Sequence, residues 1–144
     1  MVIVVDIIRF TIPGQPFGKQ RPRVINRGTF STAYTPKETV QYENLVKLYY
    51  QQAAKGFSFP VGTMLDIDIT AYYCIPKSTN KRARQDMLNG IIRPTKRPDF
   101  DNIGKIICDS LNMIAYHDDS AIVDGRVRKF YSDVPRVEVI IKSI

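Results

Sequence analysis

Asp99, Asp101, Lys105 and Asp109 fall within eleven residues, the first three in the run Pro98-Asp99-Phe100-Asp101-Asn102-Ile103-Gly104-Lys105. Two carboxylates two residues apart, with an ammonium one helical turn on, are the parts of a site that handles phosphate. Carboxylates brought together repel, and a divalent cation offsets that repulsion. Magnesium takes one or two carboxylates and completes its shell with water and phosphate oxygen. Such an ion lowers the pKa of an attacking water and neutralises charge on a phosphorane-like transition state. Lys105 would add positive charge at the phosphate or the leaving oxygen. The chemistry indicated is metal-assisted phosphodiester cleavage.

The elements that must position these groups can be read around them. Pro98 keeps the chain extended, which predicts Asp99 and Asp101 pointing to one side. Asp101 then falls at or near a helix N-terminus, where unpaired N–H groups favour an anion. Asp101, Lys105 and Asp109 follow at i, i+4 and i+8, on the face away from a stripe of Ile103, Ile106, Ile107, Leu111 and Ile114. Beyond this helix, Tyr116-His117-Asp118-Asp119 is expected to return an acid toward Asp99 and Asp101.

Each part has a plainer reading alone. Asp101 reads as an N-cap, Lys105 and Asp109 as a surface ion pair, and Asp118-Asp119 as a turn. His117, the only histidine, reads as an exposed loop residue with no role. Concentration favours the group reading: six of the fourteen acids lie between Asp99 and Asp124.

That acidic knot sits in a basic chain. Lys and Arg total 21 against 14 Asp and Glu, a formal charge of +7, which favours a phosphate-rich partner. No acid occurs between Asp6 and Glu38, where Lys19, Arg21, Arg23, Arg27 and Lys37 fall among Phe17, Phe30 and Tyr34. Gly and Pro punctuate that window, so an irregular loop or loose ribbon is expected, with rings on which a base or sugar can rest. A second run, Lys77, Lys81, Arg82, Arg84, Arg93, Lys96 and Arg97, holds Asp86 as its one acid.

Elsewhere, Val2 to Ile12 reads as a first strand. Thr35-Pro36-Lys37-Glu38 reads as a capping box with Pro at the first helical position, opening a helix over about 36–55. Its stripe is Tyr42, Leu45, Val46, Tyr49 and Ala53, and Gly56 is the stop. Leu65 to Ile75 alternates like a strand with one dry face, ended by Pro76. Ser78 to Leu88 reads as a short basic helix. Ala121 to Tyr131 and Arg136 to Ile141 read as an antiparallel hairpin. Together these predict an α+β fold, with a mixed or antiparallel sheet packed against two main helices, as a single domain over 1–144.

With 144 residues and 44% hydrophobic composition, the chain can build a core without disulfide or structural metal. Cys74 and Cys108 form no CxxC pair, which excludes a zinc finger. Apolar runs such as Met1 to Val5 are too short to span a bilayer, and no signal-peptide pattern opens the chain, so a cytoplasmic protein is expected.

These residues together resemble the RusA family of Holliday-junction resolvases, common in prophages and phages. The likeness rests on Asp99-Phe100-Asp101-Asn102-Ile103 with Lys105, then Asp109, Asp118-Asp119 and Ile122-Val123-Asp124. It extends to Lys19-Gln20-Arg21-Pro22-Arg23 and Tyr34-Thr35-Pro36. The resemblance implies a homodimeric, Mg²⁺-dependent endonuclease, Mn²⁺ being a substitute ion, that nicks four-way DNA junctions symmetrically in recombination and repair. It implies Asp99, Asp101 and Asp119 as catalytic, metal-binding acids and Lys105 as the essential lysine, with Asp118 the other acid of the doublet. No membrane or small-molecule cofactor is implied. Expected DNA contacts are Lys19, Arg21, Arg23, Arg27, Lys81, Arg82, Arg84, Lys96 and Arg97. Pro98 stands where some members place a basic residue, with Arg97 one position earlier. Phe100 replaces a commoner aliphatic residue.

Two other readings compete. One is a non-catalytic DNA- or RNA-binding protein with structural aspartates. The other is a magnesium enzyme acting on nucleotides, which the long cationic segments argue against.

Overall fold

The expected alternation from Leu65 sets the frame. In a computed structural model describing residues 5–28 and 30–144, Leu65–Cys74 is a ten-residue strand whose odd-numbered side chains are buried and whose even ones are half-buried. The side chains of Arg23, Arg27, Phe30 and Thr32 lie outside the described set, as does the expected strand start at Val2.

In chain order the elements are β1 (Ile7–Pro13), β2 (Arg23–Arg27), β3 (Phe30–Tyr34), α1 (Lys37–Ala54), β4 (Leu65–Cys74), α2 (Lys81–Leu88), α3 (Phe100–Ser110), β5 (Ile122–Ser132) and β6 (Arg136–Ser143). A single 3₁₀ turn, Asp119–Ala121, precedes β5. The main sheet runs β1-β6-β4-β5, and β2 and β3 form a separate ribbon. The β6 strand is antiparallel to both β1 and β4, while β5 is parallel to β4. The α+β class with a mixed sheet therefore holds, and the basic window is indeed a ribbon with a loop before it.

The expected hairpin of β5 and β6 does not form. The central strand β4 lies between them, bonding β5 with Ile69 opposite Val127 and β6 with Ile69 opposite Val139. A strand with one wholly apolar face is best buried at the centre of a sheet. The parallel β4/β5 pair then needs a long crossover, and the segment carrying α2 and α3 supplies it. The short link from Ser132 to Arg136 passes the end of β4, and Gly14 N donates to Pro135 O at 3.1 Å.

On the buried face, α1 packs against β1 and α3, and α3 packs against β5. The α1 stripe is Tyr42, Val46, Tyr50 and Ala54, one position away from the expected Tyr49 and Ala53 at its far end. Tyr50 explains the shift, since its hydroxyl donates to Phe57 O at 2.8 Å and locks the helix phase. Pro36 is the N-cap itself, with no side-chain cap, so the expected capping box is not formed. Lys55 in the left-handed region closes the helix one residue before Gly56. The α2 helix forms as expected, with Asn80 Oδ1 capping Ala83 N at 2.8 Å.

Helix α3 holds Ile103, Ile106 and Ile107 in the core, and Leu111 is buried just beyond its end. A Cβ at Gly104 would stand 3.3 Å from Val127 Cγ2, so the bare glycine lets α3 approach β5 closely. This apolar anchoring fixes which way the opposite face of α3 points. That face carries Asp101, Lys105 and Asp109.

Candidate active site

The N-terminal end of α3 decides how Asp99 and Asp101 are presented. Asp99 is the N-cap residue, with φ −72° and ψ 152°, and its carbonyl accepts from Ile103 N at 3.0 Å. Its carboxylate makes no capping hydrogen bond. Asp101 lies in the first helical turn rather than in an extended segment, so the pair flanks a turn instead of following strand alternation. Both are exposed, and none of the ion pairs among the described residues involves either. The simple N-cap reading of Asp101 therefore fails. Two carboxylates without ion-pair partners among the described residues stand where the free N–H groups of α3 favour negative charge. Phe100 between them is 63% exposed, so its ring does not pack in the core.

A cleft of about 640 Å³ opens beside Asp99, walled by Phe17, Gly18 and Arg21 on one side and Arg97, Pro98 and Asn102 on the other. Gly18 makes this wall possible. A Cβ there would lie 2.8 Å from Pro98 Cβ and 3.1 Å from Asn102 Cβ, so any larger residue must push the two sides apart. Lys19 N donates to Asn102 O at 2.9 Å. The Lys19 ammonium reaches Glu43 at 3.1 Å and Asp109 at 3.6 Å, and Thr39 Oγ1 donates to Gln20 Oε1 at 3.3 Å. The first basic loop is thus docked on α1 and α3 beside the acids.

The remaining predicted acids collect further along α3. Asp109 lies about 12 Å from Asp101 along the axis, and Lys105 Nζ is 3.8 Å from its carboxylate. Asp119 has its amide held by Asn112 Oδ1 at 2.8 Å, and its carboxyl is close enough to Asp109 to feel its charge. Burial, Asp118 and Asp109 push the Asp119 carboxyl above the ordinary range, and Lys105 opposes them. Asp118 behaves differently. It caps the 3₁₀ turn through Ser120 N at 3.0 Å, and its bonds to Ser120 lower its pKa. The doublet thus divides into a turn former and an inward carboxyl.

The chain therefore brings Asp119 to Lys105 and Asp109, while Asp99 and Asp101 stand at the helix start. Among the described residues no group of three or more His, Cys, Asp or Glu side chains is placed to hold a metal ion. A closed protein cage is absent from that set. Asp99 and Asp101 are the exposed carboxylates that could hold a hydrated divalent ion, since such an ion needs only one or two carboxylates when water and phosphate fill the remaining positions.

The expected DNA contacts fall into three groups. Arg21 and Arg97 are exposed on the cleft, and Lys81 and Arg82 are exposed on α2. Others are engaged within the fold: Lys19 as above, Arg84 with Asp133, and Lys96 with its ammonium 5.7 Å from the Tyr131 ring centre. Arg23 and Arg27 lie on β2, their side chains outside the described set.

A family described as endodeoxyribonuclease RusA matches residues 13–142. The chain belongs to the RusA family. It is also 36% identical over 143 residues to the uncharacterized protein YqaN of Bacillus subtilis (strain 168), covering 96% of this chain and 98% of that protein. RusA nucleases resolve branched DNA junctions and depend on divalent metal ions, so this chain is an endodeoxyribonuclease by family. Against that background, two residues to which the sequence reading gave no site role stand out. Tyr73 and Lys129 both bond the backbone just before Asp99. In the sequence they are an ordinary strand aromatic and an ordinary strand cation, and nothing local marks them. No helix among the described residues is long and apolar enough to cross a membrane.

Proposed function

We propose that this chain is a Mg²⁺-dependent Holliday-junction resolvase that acts as a homodimer and makes paired, symmetric nicks in DNA. The observation that carries this reading is the pair Asp99 and Asp101, exposed and free of side-chain cap or ion-pair duties, with Asp99 lining a cleft that bears Arg21 and Arg97. Aspartates with structural roles would be tied to local partners, as Asp118 and Asp68 are.

In the proposed mechanism Asp99 and Asp101 hold the divalent ion, with Mn²⁺ able to replace Mg²⁺. When bound, the ion supplies a water of lowered pKa and positive charge against the scissile phosphate. Arg21 and Arg97 grip the flanking backbone phosphates, which fixes the register of the strand. Lys105, 62% exposed, extends from the same helix face as Asp101 and adds charge at the phosphate or leaving oxygen. Asp109 holds Lys105 on one side and Lys19 on the other. Asp119 completes the acidic end of the site. Two identical sites related by a twofold axis suit a nearly twofold junction, which is the reason for proposing a dimer. The proposed compartment is the cytoplasm.

The test is a four-way junction with each strand labelled in turn, incubated with the protein with and without Mg²⁺. The expected result is Mg²⁺-dependent nicks in two opposed strands at equivalent positions, with little cutting of a linear duplex. Tight junction binding without nicking in either condition would instead favour the DNA-binding protein with structural aspartates.

A further inference from the structure

The chain reaches Asp99 through an exposed stretch, Thr95 to Arg97, that has no regular structure of its own. A carboxylate that must meet an ion within tenths of an ångström cannot rest on a loose lead-in. Two side chains from the sheet hold this one. The Tyr73 hydroxyl, from the last turn of the β4 alternation, donates to Pro98 O at 2.5 Å. The Lys129 ammonium, from β5, donates to Lys96 O at 2.6 Å. These residues also hold each other, for Lys129 Nζ lies 5.1 Å from the Tyr73 ring centre. Strands β4 and β5 are paired through Ala71 and Lys129, so both donors rise from neighbouring, hydrogen-bonded strands of the main sheet.

A third bond supports the same stretch from further back. Arg93 Nε donates to Lys129 O at 2.8 Å while its guanidinium stacks 4.0 Å from the Phe130 ring centre. Residues 93, 96 and 98 are therefore fixed to two adjacent strands, and Asp99 is the next residue. The Tyr73 phenol has its pKa raised by burial, then by Asp99 and Tyr131, so it remains a donor at neutral pH. The Lys129 ammonium has its pKa lowered by burial, with Asp99 acting in the opposite direction.

We propose that Tyr73 and Lys129 are positioning residues that fix the backbone ahead of Asp99 and so set the geometry in which Asp99 meets the metal ion and the scissile phosphate. This rests on the nuclease reading above for its catalytic consequence. Its structural part concerns ion binding and is separately measurable. Neither side chain touches DNA in this account, so both act on turnover rather than on junction affinity. A misplacement near 1 Å at a reacting group costs about a hundredfold in rate, whereas loss of one of two clamps costs less, about tenfold.

The experiment compares Tyr73→Phe, Lys129→Met and Lys129→Arg with the wild-type chain in four readouts. These are kcat on a four-way junction, junction affinity without metal, Mn²⁺ affinity by calorimetry, and Tm. Expected are a kcat about tenfold lower in Tyr73→Phe and Lys129→Met, junction affinity within twofold of wild type, and Mn²⁺ binding weakened several-fold. Lys129→Arg, which keeps a charged donor, recovers most of both losses. The Mn²⁺ result separates positioning from simple electrostatics. Removing a cation near Asp99 would by charge alone tighten Mn²⁺ binding, so tighter binding in Lys129→Met overturns the proposal. Wild-type Mn²⁺ affinity in both Tyr73→Phe and Lys129→Met overturns it too, as does a kcat loss that only follows a fall in Tm. Should Tyr73→Phe fail to fold, the Lys129 pair decides. If the wild-type chain binds Mn²⁺ yet cuts no junction, the nuclease reading falls while the clamp is still judged by Mn²⁺ affinity. If the wild type binds no Mn²⁺, both fall.

Discussion

Replacing Asp101 by Asn is expected to lower junction cleavage by about a thousandfold or more while junction binding in the absence of metal stays intact or strengthens slightly. The amide keeps the size of the side chain and its place in the first turn of α3, so the helix and its buried isoleucines are undisturbed. What disappears is one of two negative ligands in a site where the described residues supply no third. Electrostatic attraction for DNA can only gain, because a negative charge has been removed from a cationic surface. Quantified gel shift in chelator and single-turnover cleavage in Mg²⁺ measure the two effects separately. Parallel loss of binding and cleavage would mean that Asp101 shapes the fold or the DNA contact instead.

The second large effect is expected at Lys105. Lys105→Met should cost about a hundred- to a thousandfold in cleavage rate, the usual loss when a charge-stabilising donor is removed from a transition state. The competing view is that Lys105 serves only the 3.8 Å ion pair with Asp109 on the helix surface. Exposed i,i+4 pairs are worth only about 0.3–0.5 kcal/mol, so on that view Lys105→Met would barely matter and would cost no more than Asp109→Asn, which also frees Lys19. The comparison of Lys105→Met, Lys105→Arg and Asp109→Asn at saturating junction resolves the point. A rate for Lys105→Met within a few-fold of wild type removes the lysine from the chemistry.

Much of this architecture is legible in the residues themselves. Period-two alternation from Leu65 to Ile75 gives β4, and the stripe from Ile103 gives α3 and therefore the outward face bearing Asp101 and Lys105. Both are local patterns, and local patterns survive folding when they agree with burial. The pairing of β5 and β6 is not local. A short link with Pro135 resembles a hairpin turn, yet what decides the neighbours is competition for the apolar face of β4. The α1 stripe was offset for a similar reason, since Tyr49 and Tyr50 are interchangeable by type and only the Phe57 carbonyl selects one.

In the site, the types and order of the acids were readable, but their partners were not. Asp118 and Asp119 are identical letters, and the chain turns them to opposite uses through Ser120 and Asn112. Lys19 counted as a DNA contact by charge, whereas Glu43, 24 residues on, and Asp109 take its ammonium. Tyr73 and Lys129 read only as strand residues, because their bonds to two carbonyls of the crossover between β4 and β5 leave no local pattern.

The most direct test of the whole account is the position of a bound ion. Crystals soaked in Mn²⁺ at neutral pH should show an anomalous peak within coordinating distance of both Asp99 and Asp101 carboxylates, its remaining ligands water. A peak held instead by other side chains, or none at an Mn²⁺ concentration that supports cleavage, would contradict it.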